Sequence, residues 1–301
     1  MSGDDANTWS INHERAIPLD RPFLIGILNI TPDSFSDGGA YNKTPLAVDH
    51  ARRLLDEGAD ALDIGGESTR PGARRIGADE QIERVVPVIA AIRDAGIGLP
   101  ISIDTTLAQV ARAALDAGAD AINDVSAGSE DEAMLTLAAE QRCGLILMHR
   151  ERPPEQDQYS DAYERSPVEG SVTRRVVEAL RATMNRATDA GVAPGSIVLD
   201  PGLGFGKDVE QNLELIRSGP ELCALGRPVM SALSRKSFVG RVSLGRDSAP
   251  GERLAGTIAC SVLHLAHGAR IFRVHDVSEH RSALDAAWSV LRPDLGCPAP
   301  E

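Results

Sequence analysis

Short apolar runs recur along the chain, each closed by a polar residue and followed by a longer amphipathic segment. The first, Phe23-Leu-Ile-Gly-Ile-Leu28, has the length and composition of a buried strand. It stops at Asn29, where a polar, glycine-rich loop runs to residue 39. Further strands are predicted near residues 59–64, 100–103, 119–122, 144–148, 196–199, 228–231 and 269–272. Helices are predicted between them, near 44–57, 78–95, 107–117, 130–141, 168–190, 208–217 and 252–267, with a last one near 278–291. Thr44-Pro45 gives the first helix an N-cap and a proline at its first position. Pro87 is expected to interrupt the second helix early. The stretch 150–167, with Pro153-Pro154, has no strong period and reads as a mobile loop.

Three near copies mark the return from helix to strand: Glu57-Gly-Ala-Asp-Ala-Leu-Asp63, Ala117-Gly-Ala-Asp-Ala-Ile-Asn123 and His267-Gly-Ala-Arg-Ile-Phe-Arg273. In each, glycine occupies the left-handed position that ends a helix. Such short returns build consecutive βα units on a parallel sheet. Eight of them predict an α/β fold, a (β/α)8 TIM barrel in a single domain over residues 22–293. A loosely held lead-in (1–21) precedes it and a tail (294–301) follows. A doubly wound open sheet is the alternative. Polar residues at nearly every strand end favour the barrel, because its strand ends converge on one face.

Composition narrows the class. The 301 residues are 42% hydrophobic but only 3% aromatic, so the core is aliphatic. The formal charge of −13 argues against nonspecific nucleic-acid or anionic-membrane binding, and no apolar stretch is long enough to span a membrane. The N-terminal residues are acidic and lack the pattern of a signal peptide. The four cysteines are isolated and match no metal-binding spacing. A cytoplasmic protein is the expectation.

The strand ends offer Asn29, Thr69, Arg70, Asp104, Asn123, His149, Asp200, Lys236, Arg273 and His275. Singly, each has an ordinary explanation: Asp104 could cap a helix, Asn123 could serve the backbone, Lys236 could be solvated and His149 could sit at the core edge. Together, carboxylates, an amide and a lysine suit a flat heterocycle with a donor–acceptor edge. Arg70, Arg273 and His275 form a cationic group suited to phosphate. Asn29 offers a hard oxygen to Mg²⁺, an ion that keeps waters and shares phosphate oxygens. Gly202-Leu-Gly-Phe-Gly-Lys207 is not a P-loop, since Pro201 and Asp208 stand where Gly and Ser/Thr are required. Its glycines are expected to let backbone approach a ligand.

Seven motifs together carry a resemblance: Asn29-Ile-Thr-Pro-Asp-Ser-Phe-Ser-Asp-Gly-Gly39, Asp63-Ile-Gly-Gly-Glu-Ser-Thr-Arg-Pro-Gly72, Ser102-Ile-Asp-Thr105, Ile122-Asn-Asp-Val125, Asp200-Pro-Gly-Leu-Gly-Phe-Gly-Lys207, Ser234-Arg-Lys-Ser-Phe238 and Arg273-Val-His-Asp-Val277. The chain resembles the dihydropteroate synthase family over residues 23–277. The resemblance implies a transferase of folate biosynthesis, and a barrel fold. The reaction would join dihydropterin-6-ylmethyl diphosphate to 4-aminobenzoate, with Mg²⁺, by a dissociative displacement. Carried over motif by motif, Asp104, Asn123, Asp200, Phe205 and Lys236 would hold the pterin. Thr69, Arg70, Arg273 and His275 would hold the diphosphate, and Asn29 the metal. Phe35, Thr69, Pro71 and Ser237 would receive 4-aminobenzoate. Asp33 would help stabilise a cationic intermediate, with Phe35 in the same closing loop. A homodimer is implied as well. One departure stands out: after Met148-His149 the family often has a second Met, where this chain has Arg150. Two other readings remain open, a pterin-binding methyltransferase and a non-catalytic pterin-binding paralogue.

Overall fold

The structure, a computed structural model, describes residues 7–12, 15–30 and 43–292. The chain enters through an antiparallel hairpin, β1 (Thr8–Ser10) and β2 (Ala16–Pro18), and then alternates strand and helix. In order come β3 (Phe23–Asn29), α1 (Lys43–Asp56), β4 (Ala61–Gly65), α2 (Ala78–Asp94), β5 (Ile101–Asp104), α3 (Ala108–Asp116), β6 (Ala121–Asp124) and α4 (Ala133–Gln141). There follow β7 (Gly144–Met148), α5 (Val172–Asp189), β8 (Ile197–Asp200), α6 (Val209–Arg217), α7 (Gly219–Cys223), β9 (Met230–Ser231), α8 (Ser237–Leu244), α9 (Leu254–Ala266), β10 (Ile271–Val274) and α10 (Val277–Leu291). The parallel sheet runs β8-β7-β6-β5-β4-β3-β10-β9. A bridge between Leu199 and Val229 joins its two ends, closing the predicted (β/α)8 barrel.

Alternation along each strand explains how the barrel is filled. Outward positions such as Leu24, Leu62, Ile103, Leu145 and Leu199 pack under the helices. Inward positions near the strand starts are apolar too: Phe23, Ile25, Ala61, Ala121, Ile146, Val198 and Ile271 form one cluster with Trp9, Ile11, Ile17 and Leu19 of the entry segment. The inward positions one or two steps further on are polar: Asp63, Ser102, Asp104, Asn123, Asp200 and Arg273. A two-residue period thus stacks a dry layer beneath a polar one.

The entry segment is therefore not loosely held. Trp9 is 1% exposed; its Nε1 donates to the Ser196 carbonyl at 2.9 Å, and its ring lies edge-on to Phe23. The Ile11 carbonyl accepts from Gly144 at 3.0 Å. The hairpin plugs the amino-terminal end of the barrel.

Other expectations also shift. Pro87 lies inside α2 without ending it, on the exposed face of that helix, where water can take the carbonyl that proline leaves unpaired. Helices α7 and α8 were not anticipated. The latter hides in a Gly/Ser/Arg-rich stretch and is fixed by fully buried Phe238 and Val239. The 150–167 stretch contains two 3-10 turns, Pro154–Gln156 and Ser160–Ala162, and Asn212 Nδ2 donates to buried Ser160 Oγ at 3.1 Å. It is a docked connection. Among the described residues no helix is long and apolar enough to cross a membrane.

Candidate active site

A cavity of about 730 Å³ opens at the carboxyl ends of the strands. Apart from His149, all the expected site residues that lie among the described ones line it. Asn29 ends β3, Asp104 ends β5, and Asn123 sits on β6. Asp200 ends β8, Arg273 lies on β10 with His275 just beyond, and Lys236 and Ser237 begin α8. Thr69, Arg70 and Pro71 come from the loop after β4, and Phe205 from the loop after β8. Asp33 and Phe35 lie outside the described residues.

The floor is a buried network centred on a residue that sequence reading did not single out. Asp63, 0% exposed, accepts from Arg273 Nε at 2.6 Å, from Ser102 Oγ at 2.5 Å and from Asn123 Nδ2 at 3.2 Å. Arg273 Nη2 also donates to Asp104 Oδ2 at 2.9 Å. Strand register makes this possible, setting Asp63 beside Ser102 and Asp104 beside Asn123. Burial pushes the Asp104 carboxyl up to about 7; Arg273 opposes that shift, and Asp63 adds to it. Asp104 lines the cavity, and its Oδ1 is buried with no hydrogen-bond partner among the described residues. The signal for Asp63 was present: a lone carboxylate inside an apolar strand.

Above this floor, Lys236 forms one wall. Its ammonium donates to the Leu203 carbonyl and lies 4.1 Å from the centre of the Phe205 ring. Burial lowers it to about 7, against the pull of Asp200. Asp200 Oδ1 accepts from the Gly202 amide at 2.7 Å; burial raises this carboxyl, with Lys236 opposing.

The glycines of the 202–206 loop are needed first for contacts within the protein, although Gly204 also lines the cavity. A Cβ on Gly202, at φ +68°, would meet the His149 carbonyl at 1.8 Å, and one on Gly204, at φ +82°, would meet Lys236 Cδ at 2.6 Å. They let this loop press on other parts of the protein. Fully buried Lys207 fastens it, donating to the carbonyls of Gly202 and Phe205, each at 2.9 Å. His149 does not line the cavity; its Nε2 faces Glu151 at 3.3 Å.

The cationic group also changes character. Burial, reinforced by Arg273, pushes His275 down to about 3, so it is a neutral hydrogen-bonding group held by Ser234 Oγ at 2.9 Å. Arg273 is already engaged by Asp63 and Asp104, and Arg235 is engaged by Asp276. Arg70 is exposed at the mouth. Among the described residues no group of three His, Cys, Asp or Glu could hold a metal. The amide oxygen of Asn29 and the carboxylate of Asp104 flank Gly65, each 3.7 Å from where a Cβ there would stand.

The chain matches the pterin binding enzyme family over residues 25–275. It is 45% identical over 282 residues to the dihydropteroate synthase of Mycobacterium leprae, a match covering 90% of this chain and 95% of that one. A structure of the Xanthomonas albilineans dihydropteroate synthase with 4-aminobenzoic acid superposes with a TM-score of 0.83 at 40% identity, covering 97% of this chain and 100% of that one. The same enzyme in complex with 7,8-dihydropteroate gives a TM-score of 0.77 at 38% identity, over 94% and 97%. The chain belongs to the dihydropteroate synthase family of pterin-binding enzymes.

Proposed function

We propose that this barrel condenses (7,8-dihydropterin-6-yl)methyl diphosphate with 4-aminobenzoate, giving 7,8-dihydropteroate and diphosphate in folate biosynthesis. The observation that carries the reading is the cavity floor. It offers a buried acceptor at Asp104 Oδ1, the Asn123 amide and the Asp200 carboxylate, with Lys236 across from them. A pterin edge presents complementary ring N–H, amino and carbonyl groups. The Phe205 ring and Met148 supply apolar surface for the flat ring.

The arylamine nitrogen is a weak neutral nucleophile, so a path that does not require its activation is favoured. A dissociative path suits this floor. The methylene C–O bond breaks, the pair leaves with the diphosphate, and the pterin ring delocalises the positive charge. The amine then forms the new C–N bond and gives its proton to solvent. The residues contribute by positioning and by electrostatics. Thr69 and Arg70, with neutral His275, would receive the diphosphate. Arg273 would fix Asp104 and face the same substrate. Thr69, Pro71 and Ser237 would take 4-aminobenzoate, and Asp33 and Phe35 would complete the site from the first loop.

The amide oxygen of Asn29, at the end of β3 on the cavity wall, fits Mg²⁺, which prefers few protein ligands together with waters and phosphate oxygens. When bound, the ion would neutralise charge on the leaving diphosphate. We read the protein as a cytoplasmic homodimer; exposed Leu263 of α9 and Val290 of α10 support an interface there, and sedimentation would test it. A diphosphate-release assay with both substrates tests the reaction. Transfer of a methyl group without diphosphate release would instead favour a pterin-binding methyltransferase.

A further inference from the structure

The loop that carries Thr69, Arg70 and Pro71 is shaped at its neck. Glu67 Oε1 accepts from the Ile76 amide at 2.8 Å and faces Arg75 Nε at 3.3 Å, so the loop closes on itself across nine residues of chain. A loop with joined ends is compact but can still swing as a body. What fixes its direction lies outside it. Arg75 reaches away from the cavity and grips Glu130 with two hydrogen bonds, of 2.9 and 2.7 Å. Its Nη2 also donates to Thr106 Oγ1 at 3.0 Å, and that hydroxyl donates to Glu130 Oε2 at 2.6 Å. Glu130 is held from its other side by Arg150, whose side chain is 8% exposed. The loops after β4, β5, β6 and β7 therefore meet at one carboxylate. A separate backbone bond, from the Gly72 amide to the Pro154 carbonyl at 2.9 Å, ties the loop tip to the β7 connection.

We propose that Glu130 is a positioning residue for the arylamine side of the site, aiming the Thr69-Arg70-Pro71 loop through Arg75 and anchored by Arg150. Neither Glu130 nor Arg150 lines the cavity, and neither is part of the floor network. Isolated exposed ion pairs contribute little, but a bidentate pair inside a connected network is the case in which such a contact fixes geometry.

The inference rests on the proposed condensation, because it assigns 4-aminobenzoate to that loop. It is tested with Glu130→Gln and Arg150→Met in the full-length protein, measuring kcat and the KM for each substrate. Loss of one member of a coupled network predicts a rise of about tenfold in the 4-aminobenzoate KM for Glu130→Gln. Arg150→Met, which leaves the Arg75–Glu130 pair in place, should raise it about threefold. The KM for the dihydropterin diphosphate should rise less, by about two- to threefold, because Thr69 and Arg70 ride on the same loop while the floor that holds the ring is untouched. Glu130→Asp should recover part of the loss. An unchanged arylamine KM in both variants overturns the proposal. So does a parallel rise of both KM values with a lower melting temperature, which would mark a general structural role. A wild-type protein that releases no diphosphate from the two substrates defeats the functional reading itself, a separate result.

Discussion

At the floor of the cavity, Asp63, Asp104, Asn123 and Arg273 sit on four strands and answer one another's hydrogen bonds. At the rim, Thr69, Arg70 and Pro71 ride on a loop held by Glu67, by Arg75 and by the Gly72 amide. The floor is built into the sheet, so it cannot move without the barrel. The rim depends on surface contacts between loops. A heterocycle recognised by several hydrogen bonds needs fixed donors and acceptors; two substrates that must enter and leave need a mouth that can adjust. The protein separates these demands by depth.

The sharpest way to break the floor is Arg273→Met. It leaves two buried carboxylates facing each other without a cation, and stability should fall by about 3–5 kcal/mol. Urea unfolding measures this; a loss close to that of a surface substitution would show that the floor is less tightly coupled than its distances imply. Binding of a pterin without diphosphate should fall along with binding of the diphosphate substrate, because Arg273 holds Asp104.

Lys236→Gln removes a wall, and the cation beside Asp200, while leaving Asp63 and Asp104 paired with Arg273. It should lower kcat/KM for the dihydropterin diphosphate by about a hundredfold. A loss confined to the arylamine would reverse the depth assignment.

Asp104→Asn tests the floor through pH. Folding raises this carboxyl to about 7 from 3.8, so its ionised form is the one that the fold disfavours. The wild type therefore loses stability as pH rises from about 4 to about 7. At pH 8 the variant should be the more stable protein, by on the order of 2 kcal/mol. That gain should shrink as pH falls through 7 and disappear near 4, while turnover is poor throughout. Melting curves at several pH values measure it, and a pH-independent difference would refute the burial argument.

Arg70→Ala addresses the rim alone. Stability should stay within about 0.5 kcal/mol, and the KM for the diphosphate substrate should rise about fivefold. Calorimetry and steady-state kinetics separate the two effects.

The same contrast explains what could be read from the sequence. The barrel was legible because its strands and helices repeat with local periods, and the strand-end polar residues followed from that count. Asp63 was harder to assign, since it lies two residues before its strand ends and becomes central only when register sets it beside Ser102. The Arg75–Glu130 contact joins residues 55 positions apart on different loops, and no local pattern encodes it. The neutral state of His275 comes from burial, which the sequence alone does not show. The N-terminal residues looked unstructured because a three-residue strand has almost no period; Trp9 was the clue, an amphipathic ring with a pocket to fill.

That ring has a consequence for traffic. With Trp9 and its hairpin seated against the strand starts, the amino-terminal end of the barrel is stoppered and the cavity opens at the carboxyl ends of the strands. Whatever occupies the polar layer must come in past the place where its partner will sit. On the proposed assignment of the pterin to the floor and 4-aminobenzoate to the rim, the pterin would arrive first, and an arylamine that entered before it would stand in the corridor. High concentrations of the second substrate should slow the enzyme.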